Sequence, residues 1–215
     1  MPSRKTLLTA SIIFVLLITG AGLGVYSTRF YRTSMPSEAI QGLLWPNPKQ
    51  LGEFSAINQN GDTFNISNLH GHWSLLFFGY TYCPDVCPVT LSVLEQVQTR
   101  LQQEQSLPAL QTIFITGDPE RDTTTRLAEY IGYFKGNFSA LGGTIEQINS
   151  LASQIGIAYS LDMVQENGSY MVNHTSSVFL IDPQARLVGI FSAPHNPDDL
   201  TVGITNISGF INSQN

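Results

Sequence analysis

The sequence predicts an α/β domain, a central mixed sheet flanked by helices. Two observations carry that reading. Short apolar runs (residues 75–78, 110–116 and 138–141) alternate with longer segments of helical apolar period (residues 89–101, 124–134 and 144–155). The chain then closes with a hairpin around Asp182-Pro183 and a last amphipathic helix, which makes the sheet mixed.

Taken in order, residues 6–28 contain no charged side chain and are long enough to cross a hydrocarbon layer of about 30 Å. The run reads as a transmembrane helix, an uncleaved anchor over residues 1–28. Its Gly20-Ala21-Gly22 stretch leaves cleavage as a secretory signal open. Arg4 and Lys5 before the run are balanced by Arg29 and Arg32 after it, so charge alone does not orient it. The short amino-terminal stub is the easier side to leave in the cytoplasm, which places the large domain outside. Residues 29–50, with Trp45-Pro46-Asn47-Pro48, read as a tether, and residues 51–215 as the folded domain.

Within the domain, residues 54–66 read as a hairpin turning on Asn60-Gly61. Residues 75–78 form the central strand, residues 89–101 the first helix and residues 110–116 a second buried strand. A helix over 124–134, capped near Asp122, follows. A short strand over 138–141 and a helix over 144–155 come next, then a short hairpin over 159–172. Strands over 177–181 and 187–191 precede a final helix over 197–211.

The net charge of −6 hides an asymmetry, because from residue 33 onward there are six basic and sixteen acidic side chains. Such a surface repels phosphates, so nucleic acid is excluded as a partner. Charged partners should be basic or metallic.

The only two cysteines, Cys83 and Cys87, lie in Phe77-Phe78-Gly79-Tyr80-Thr81-Tyr82-Cys83-Pro84-Asp85-Val86-Cys87-Pro88, between the central strand and the first helix. A thiolate near a helix start is stabilised and its pKa lowered. Either Pro84 or Pro88 can occupy the first helical turn. In the first case the thiols share one helical face; in the second they flank the helix entry. An inert disulfide is a poor explanation, since closing so short a loop removes little unfolded-state entropy. The pair reads as a reversible, redox-active site.

Strand–cysteine turn–helix at this point of the chain looks like a thioredoxin fold. Three motifs are more specific: Phe78 to Pro88 as quoted, Asp118-Pro119-Glu120-Arg121-Asp122-Thr123, and Asn173-His174-Thr175 ahead of Val178-Phe179-Leu180-Ile181-Asp182-Pro183. In that order they resemble the Sco/SenC family of membrane-anchored copper-binding proteins, over about residues 51–211. The resemblance implies copper, as Cu(I) and/or Cu(II), held by Cys83, Cys87 and His174. It also implies assembly of the dinuclear copper site of cytochrome c oxidase. The partners would then be the membrane and the oxidase's copper-site subunit, or another copper protein. The expected location is the bacterial inner membrane with the domain in the periplasm, or alternatively the mitochondrial inner membrane. Two positions depart from the family pattern: Asn173 stands where Asp is usual, and Gly117 where an apolar residue is common.

Two thiolates and an imidazole suit Cu(I) and tolerate Cu(II) or zinc. A structural zinc site would want a fourth protein ligand, and there is no third cysteine. His70, His72 and His195 read as surface or turn histidines. Asp118 and Asp122 are candidates for orienting His174 or the cysteine loop, against the plainer reading of a capping and ion-pair loop. Asp85 reads as an exposed charge facing a partner. Asn-x-Ser/Thr sequons at Asn65, Asn137, Asn167, Asn173 and Asn206 matter only to a chain crossing an endoplasmic reticulum, and a glycan on Asn173 would obstruct His174. Besides a copper carrier, the pattern allows a thiol–disulfide reductase that keeps an acceptor's cysteines open, or a redox or copper sensor. A general thioredoxin-type reductase fits less well, because three residues part the cysteines and no proline precedes Val178.

Overall fold

The computed structural model describes residues 14–24, 43–107, 109–165 and 168–214. Residues 14–24 are helical (α1) and exposed. Among the described residues, no helix is long and apolar enough to cross a membrane. The rest of the 6–28 run expected to do so lies outside them, as does the tether over 29–42.

The remaining chain builds an eight-stranded mixed sheet in the order β1 (Leu44–Gln50), β10 (Arg186–Phe191), β9 (Val178–Ile181), β4 (Ser74–Gly79), β5 (Gln111–Thr116), β6 (Phe138–Gly142), β2 (Ser55–Asn58), β3 (Thr63–Asn65). Its centre is β4 (Ser74–Gly79), every residue of which is buried. β4 runs parallel to β5 (Gln111–Thr116), and β5 parallel to β6 (Phe138–Gly142). On the other side β4 pairs antiparallel with β9 (Val178–Ile181), which pairs with β10 (Arg186–Phe191). The two-residue period of β4 splits the core. Leu75 and Phe77 face helices α2 (Val86–Gln103), α3 (Thr124–Ile131) and α5 (Pro197–Asn212). Leu76 and Phe78 face helix α4 (Ile145–Ile155) and the turn over Ile66–Asn68. Fully buried phenylalanines such as Phe77 and Phe78 are each worth about 3–5 kcal/mol against alanine.

Local chemistry explains the element ends. The hairpin of β2 (Ser55–Asn58) and β3 (Thr63–Asn65) turns at Gly61, whose φ of 87° only glycine adopts freely. The Asn58 side chain there accepts bonds from the Asn60 and Asp62 amides. At the Asp182 turn, the buried carboxylate accepts from the Gln184 and Arg186 amides and from Arg186 Nε. Helix α3 is capped by Thr123, whose hydroxyl accepts from the Arg126 amide. The cap expected near Asp122 is thus one residue later, because Asp122 is turned inward to the cysteine loop.

The reading of residues 29–50 as a tether needs correction at its carboxyl end. Residues Leu44–Gln50 form β1, an antiparallel edge strand on β10 with an irregularity between Leu44 and Lys49. Pro46 and Pro48 disguise it, yet an edge strand tolerates proline because one side of it needs no donors. The Ile190 amide donates to Leu43 O, the Leu51 amide to Ala185 O, and Lys49 Nζ to Gln154 O. Leu43, Leu44 and Trp45 pack half-buried against the core. A chain begun at Leu51 should therefore unfold at lower urea than one begun at Leu43, by about 1–3 kcal/mol for the apolar area uncovered. Coincident transitions would show that β1 is only a tether after all.

Candidate metal and thiol site

The site lies at the carboxyl ends of β4 and β5, where parallel strands of open α/β sheets leave a crevice. After Gly79 the chain turns through Tyr80, Thr81 and Tyr82 to Cys83, and α2 begins at Val86. Of the two helix starts the sequence allowed, the structure has Pro88 in the first turn, so Cys83 stands before the helix and Cys87 within it. Cys83 is half-buried and Cys87 fully buried, both free thiols. Gly79 makes room for Cys87: a Cβ there would lie 2.7 Å from the Cys87 sulfur and 2.8 Å from the Phe114 ring.

The third side chain arrives from a separate two-stranded ribbon, β7 (Tyr159–Leu161) with β8 (Val172–His174). This is the hairpin expected over 159–172, with His174 at its end. The ring sits among Phe77, Phe78 and Tyr80, with centroids 6.2, 6.1 and 6.3 Å away, and Nε2 is 3.7 Å from Cys87 Sγ. Nδ1 lies 3.0 Å from the Thr175 carbonyl, which can only accept, so Nδ1 carries a proton. In the neutral ring Nε2 therefore presents a lone pair to the sulfurs, and in the charged ring it donates to them.

The two thiols divide the ionisation between them. Cys83 is pushed down to about 3, first because the Cys87 thiol donates to its thiolate, then through His174 and the Asp85 and Cys87 amides. Cys87 is pushed far up, because its proton is held by that same bond and because it is buried. The Cys87 amide donates to Cys83 Sγ at 3.5 Å, the helix start acting as an anion site. The structure thus brings Cys83, Cys87 and His174 together. Among the described residues, however, no three His, Cys, Asp or Glu side chains have donors already gathered as around a bound ion. The cluster is a hydrogen-bonded thiol–imidazole group that must exchange its proton and close slightly to hold a metal.

Asp122 and Asp118 sit beneath this cluster, one under each arm. Asp122 accepts from the Thr81 amide at 3.0 Å, the Thr81 hydroxyl at 2.6 Å and the Thr116 hydroxyl at 2.5 Å, which fixes the cysteine loop. Arg126 Nε donates to the Thr81 hydroxyl from the other side. Asp118 accepts from Arg121 Nε and from Tyr170 Oη at 2.8 Å, and Arg121 donates to the Tyr170 carbonyl. The Arg121 guanidinium lies 3.5 Å from the Tyr170 ring centroid and 4.9 Å from that of Tyr82, joining the segment that leads into the His174 strand to the cysteine loop. Burial and the bond to Asp118 push the Tyr170 phenol up to about 12. Thr81 and Tyr170 were not singled out by sequence reasoning; only the polar Tyr80-Thr81-Tyr82 run after a buried strand hinted at the first.

The two departures acquire physical reasons. Asn173 donates its side-chain amide to Asp162 across the ribbon, a bond an aspartate could not make without opposing two carboxylates. At Gly117 a Cβ would fall 2.6 Å from the buried Phe78 ring. His70 and His72 are exposed in a turn, as expected, while His195 is half-buried and bonds the Ser176 carbonyl through Nε2 at 2.8 Å. Asp85 is exposed.

An activated Cys83 beside a protected Cys87 predicts a distinctive alkylation profile. The rate at Cys83 should stay near its plateau from about pH 8 down to about pH 5, where a free thiol of pKa about 8.5 loses about tenfold per unit. Cys87→Ala should move the profile toward that of a free thiol. A wild-type rate already falling tenfold per unit below pH 8 would contradict the assignment.

Comparison with known proteins identifies the family. The family model described as SCO1/SenC matches residues 46–209. The SCO2-like protein of Rickettsia felis is 32% identical over 195 residues, covering 88% of this chain and 92% of its own. The mitochondrial protein SCO2 homolog of Bos taurus is 35% identical over 150 residues, 70% of this chain but only 56% of that longer protein. The crystal structure of Arabidopsis thaliana ScoI with copper bound superposes with a TM-score of 0.70 at 32% identity, covering 74% of this chain and 97% of that one. The fold is the thioredoxin-like α/β fold of those Sco structures, and the chain belongs to the SCO1/SenC family.

Proposed function

We propose that the chain is a membrane-tethered copper carrier serving cytochrome c oxidase assembly, with copper held by Cys83, Cys87 and His174. The observation that carries it is the meeting of a thiolate, a buried thiol and an imidazole lone pair, with Cys87 Sγ 3.7 Å from His174 Nε2. The donor set suits the cargo: two sulfurs and one nitrogen are soft ligands that favour Cu(I). The relative from Arabidopsis thaliana was crystallised with copper bound, which supports the same cargo here. Cys83 supplies a thiolate without cost near neutral pH, and Cys87 gives up its proton on loading. Asp122 and Asp118 would keep the two arms in register, through Thr81 and through Arg121 with Tyr170.

The uncharged run over residues 6–28 supports an anchor. It would hold the domain at the outer face of a bacterial inner membrane, or at a mitochondrial inner membrane, and confine donor and acceptor to one thin layer. The acceptor would be the copper-site subunit of the oxidase or another copper protein with exposed thiols and histidines.

A thiol–disulfide reductase is the second reading, favoured by the half-buried activated Cys83 beside a buried Cys87 that can resolve a mixed disulfide. One pair of variants separates the two. His174→Ala should weaken copper binding by about two orders of magnitude or more and abolish oxidase assembly, while dithiol exchange survives. Cys87→Ser should remove both. Assembly supported by a His174→Ala chain that has lost copper would favour the reductase.

A further inference from the structure

Beside the cysteines runs a groove of about 510 Å³ that the copper reading leaves unused. Its floor comes from Val86, Val89 and Val93 on the first turns of α2 and from Pro194 in the loop after β10; Asp85 and His195 sit at its rim. Val86 and Val89 remain 43% and 57% exposed, one and two residues from Cys87. A smaller hollow shares Pro194 and His195 with it and extends to Asp199.

The charges along this trough are of one sign, beside the neutral side chains of Thr90, Ser192 and Asn196. Asp85 and Asp199 have no ion-pair partner among the described residues. His195 donates through Nε2 to the Ser176 carbonyl, and its Nδ1 is buried with no partner among the described residues. Both carboxylates are exposed and negative, on a domain whose acidic side chains outnumber its basic ones sixteen to six from residue 33 on. An occupant must therefore bring apolar surface, hydrogen-bond donors and positive charge. A second copy of this chain, equally acidic, would be repelled.

We propose that this groove docks the protein that exchanges with Cys83, through an apolar side chain flanked by lysine or arginine next to the acceptor's own cysteines. The proposal rests on the carrier reading for what is exchanged, but docking is independent of whether copper or electrons pass. An acceptor seated on Val86 and Val89 presents its thiols to the half-buried Cys83, on the open side of the site.

The test uses the full-length chain in lipid nanodiscs and two synthetic peptides with cysteines three residues apart. One peptide carries Lys-Leu-Lys beside them, the other Glu-Leu-Glu. Two second-order rates are measured: copper transfer to the reduced peptides, and exchange of the reduced chain with the peptide disulfides. In the exchange, Cys83 attacks a peptide sulfur and releases the other as thiolate. Cys87, passing its proton to the released peptide thiolate, then attacks Cys83 Sγ and expels the peptide's second sulfur as a thiolate. A Cys83–Cys87 disulfide forms, the chain is oxidised by two electrons and the peptide reduced.

The lysine peptide should react about tenfold faster at low salt, with the preference fading as salt rises. Val89→Lys should erase it and Val89→Ile keep it. Copper affinity and exchange with a small uncharged disulfide should not change in either variant. Equal rates for the two peptides, or a preference surviving Val89→Lys, would overturn the proposal. So would a rate that Val89→Lys raises, which marks a groove filled by the chain itself, or one that falls with chain concentration, which marks a second copy. If no copper moves to either peptide the carrier reading fails, and the exchange rates still decide the docking.

Discussion

The buried carboxylate of Asp122 accepts from the amide and hydroxyl of Thr81 and from the hydroxyl of Thr116. Those bonds join the end of β5 to the loop that leaves β4, and the rest of the site is hung from that junction. Thr81 sets Tyr82 and Cys83; the turn after them sets the start of α2 and hence Cys87. Burial raises the Asp122 pKa in spite of its three donors. A carboxyl raised in this way contributes stability below its ordinary range and loses it as pH rises through the raised value. Burial thus makes this carboxyl harder to ionise than an exposed one, and what it supplies is position. Without it, buried donors would be left unpaired at about 1–3 kcal/mol each.

Position matters because the cysteines are not equivalent. A thiolate before the helix and a protonated thiol within it give the site one reactive sulfur and one sheltered one. His174, held through Nδ1 by the Thr175 carbonyl, aims Nε2 at the sheltered sulfur. The two arms come from distant parts of the chain, and the Asp118–Arg121–Tyr170 cluster is the clasp between them. Glycine completes the arrangement where side chains would collide, at Gly79 over Cys87 and at Gly117 over Phe78.

Much of this was legible in the sequence wherever the signal was local. Asn60-Gly61 and Asp182-Pro183 marked their turns because each needs particular backbone or side-chain chemistry. The buried run over 75–78 marked the central strand because only apolar residues fit between two helical layers. What was hidden depended on tertiary partners. β1 was masked by Pro46 and Pro48, since edge position becomes visible only once β10 is in place. Asp122 and Thr123 are both cap-forming residues, and only the inward pull of Thr81 decides that threonine takes the cap. The start of α2 was open between two prolines for the same reason. The clasp through Tyr170 spans 52 residues to Asp118 and has no sequence signature at all.

The central claim is that Cys83, Cys87 and His174 act as one ligand set on a single ion. X-ray absorption at the copper edge tests it most directly, on the full-length chain loaded with one equivalent of Cu(I) under reducing conditions. The account predicts a first shell of two sulfur scatterers and one nitrogen scatterer, with the outer-shell signature of imidazole disappearing in His174→Ala. A shell of sulfur alone in the wild-type chain, or an imidazole signature that persists in His174→Ala, would contradict it.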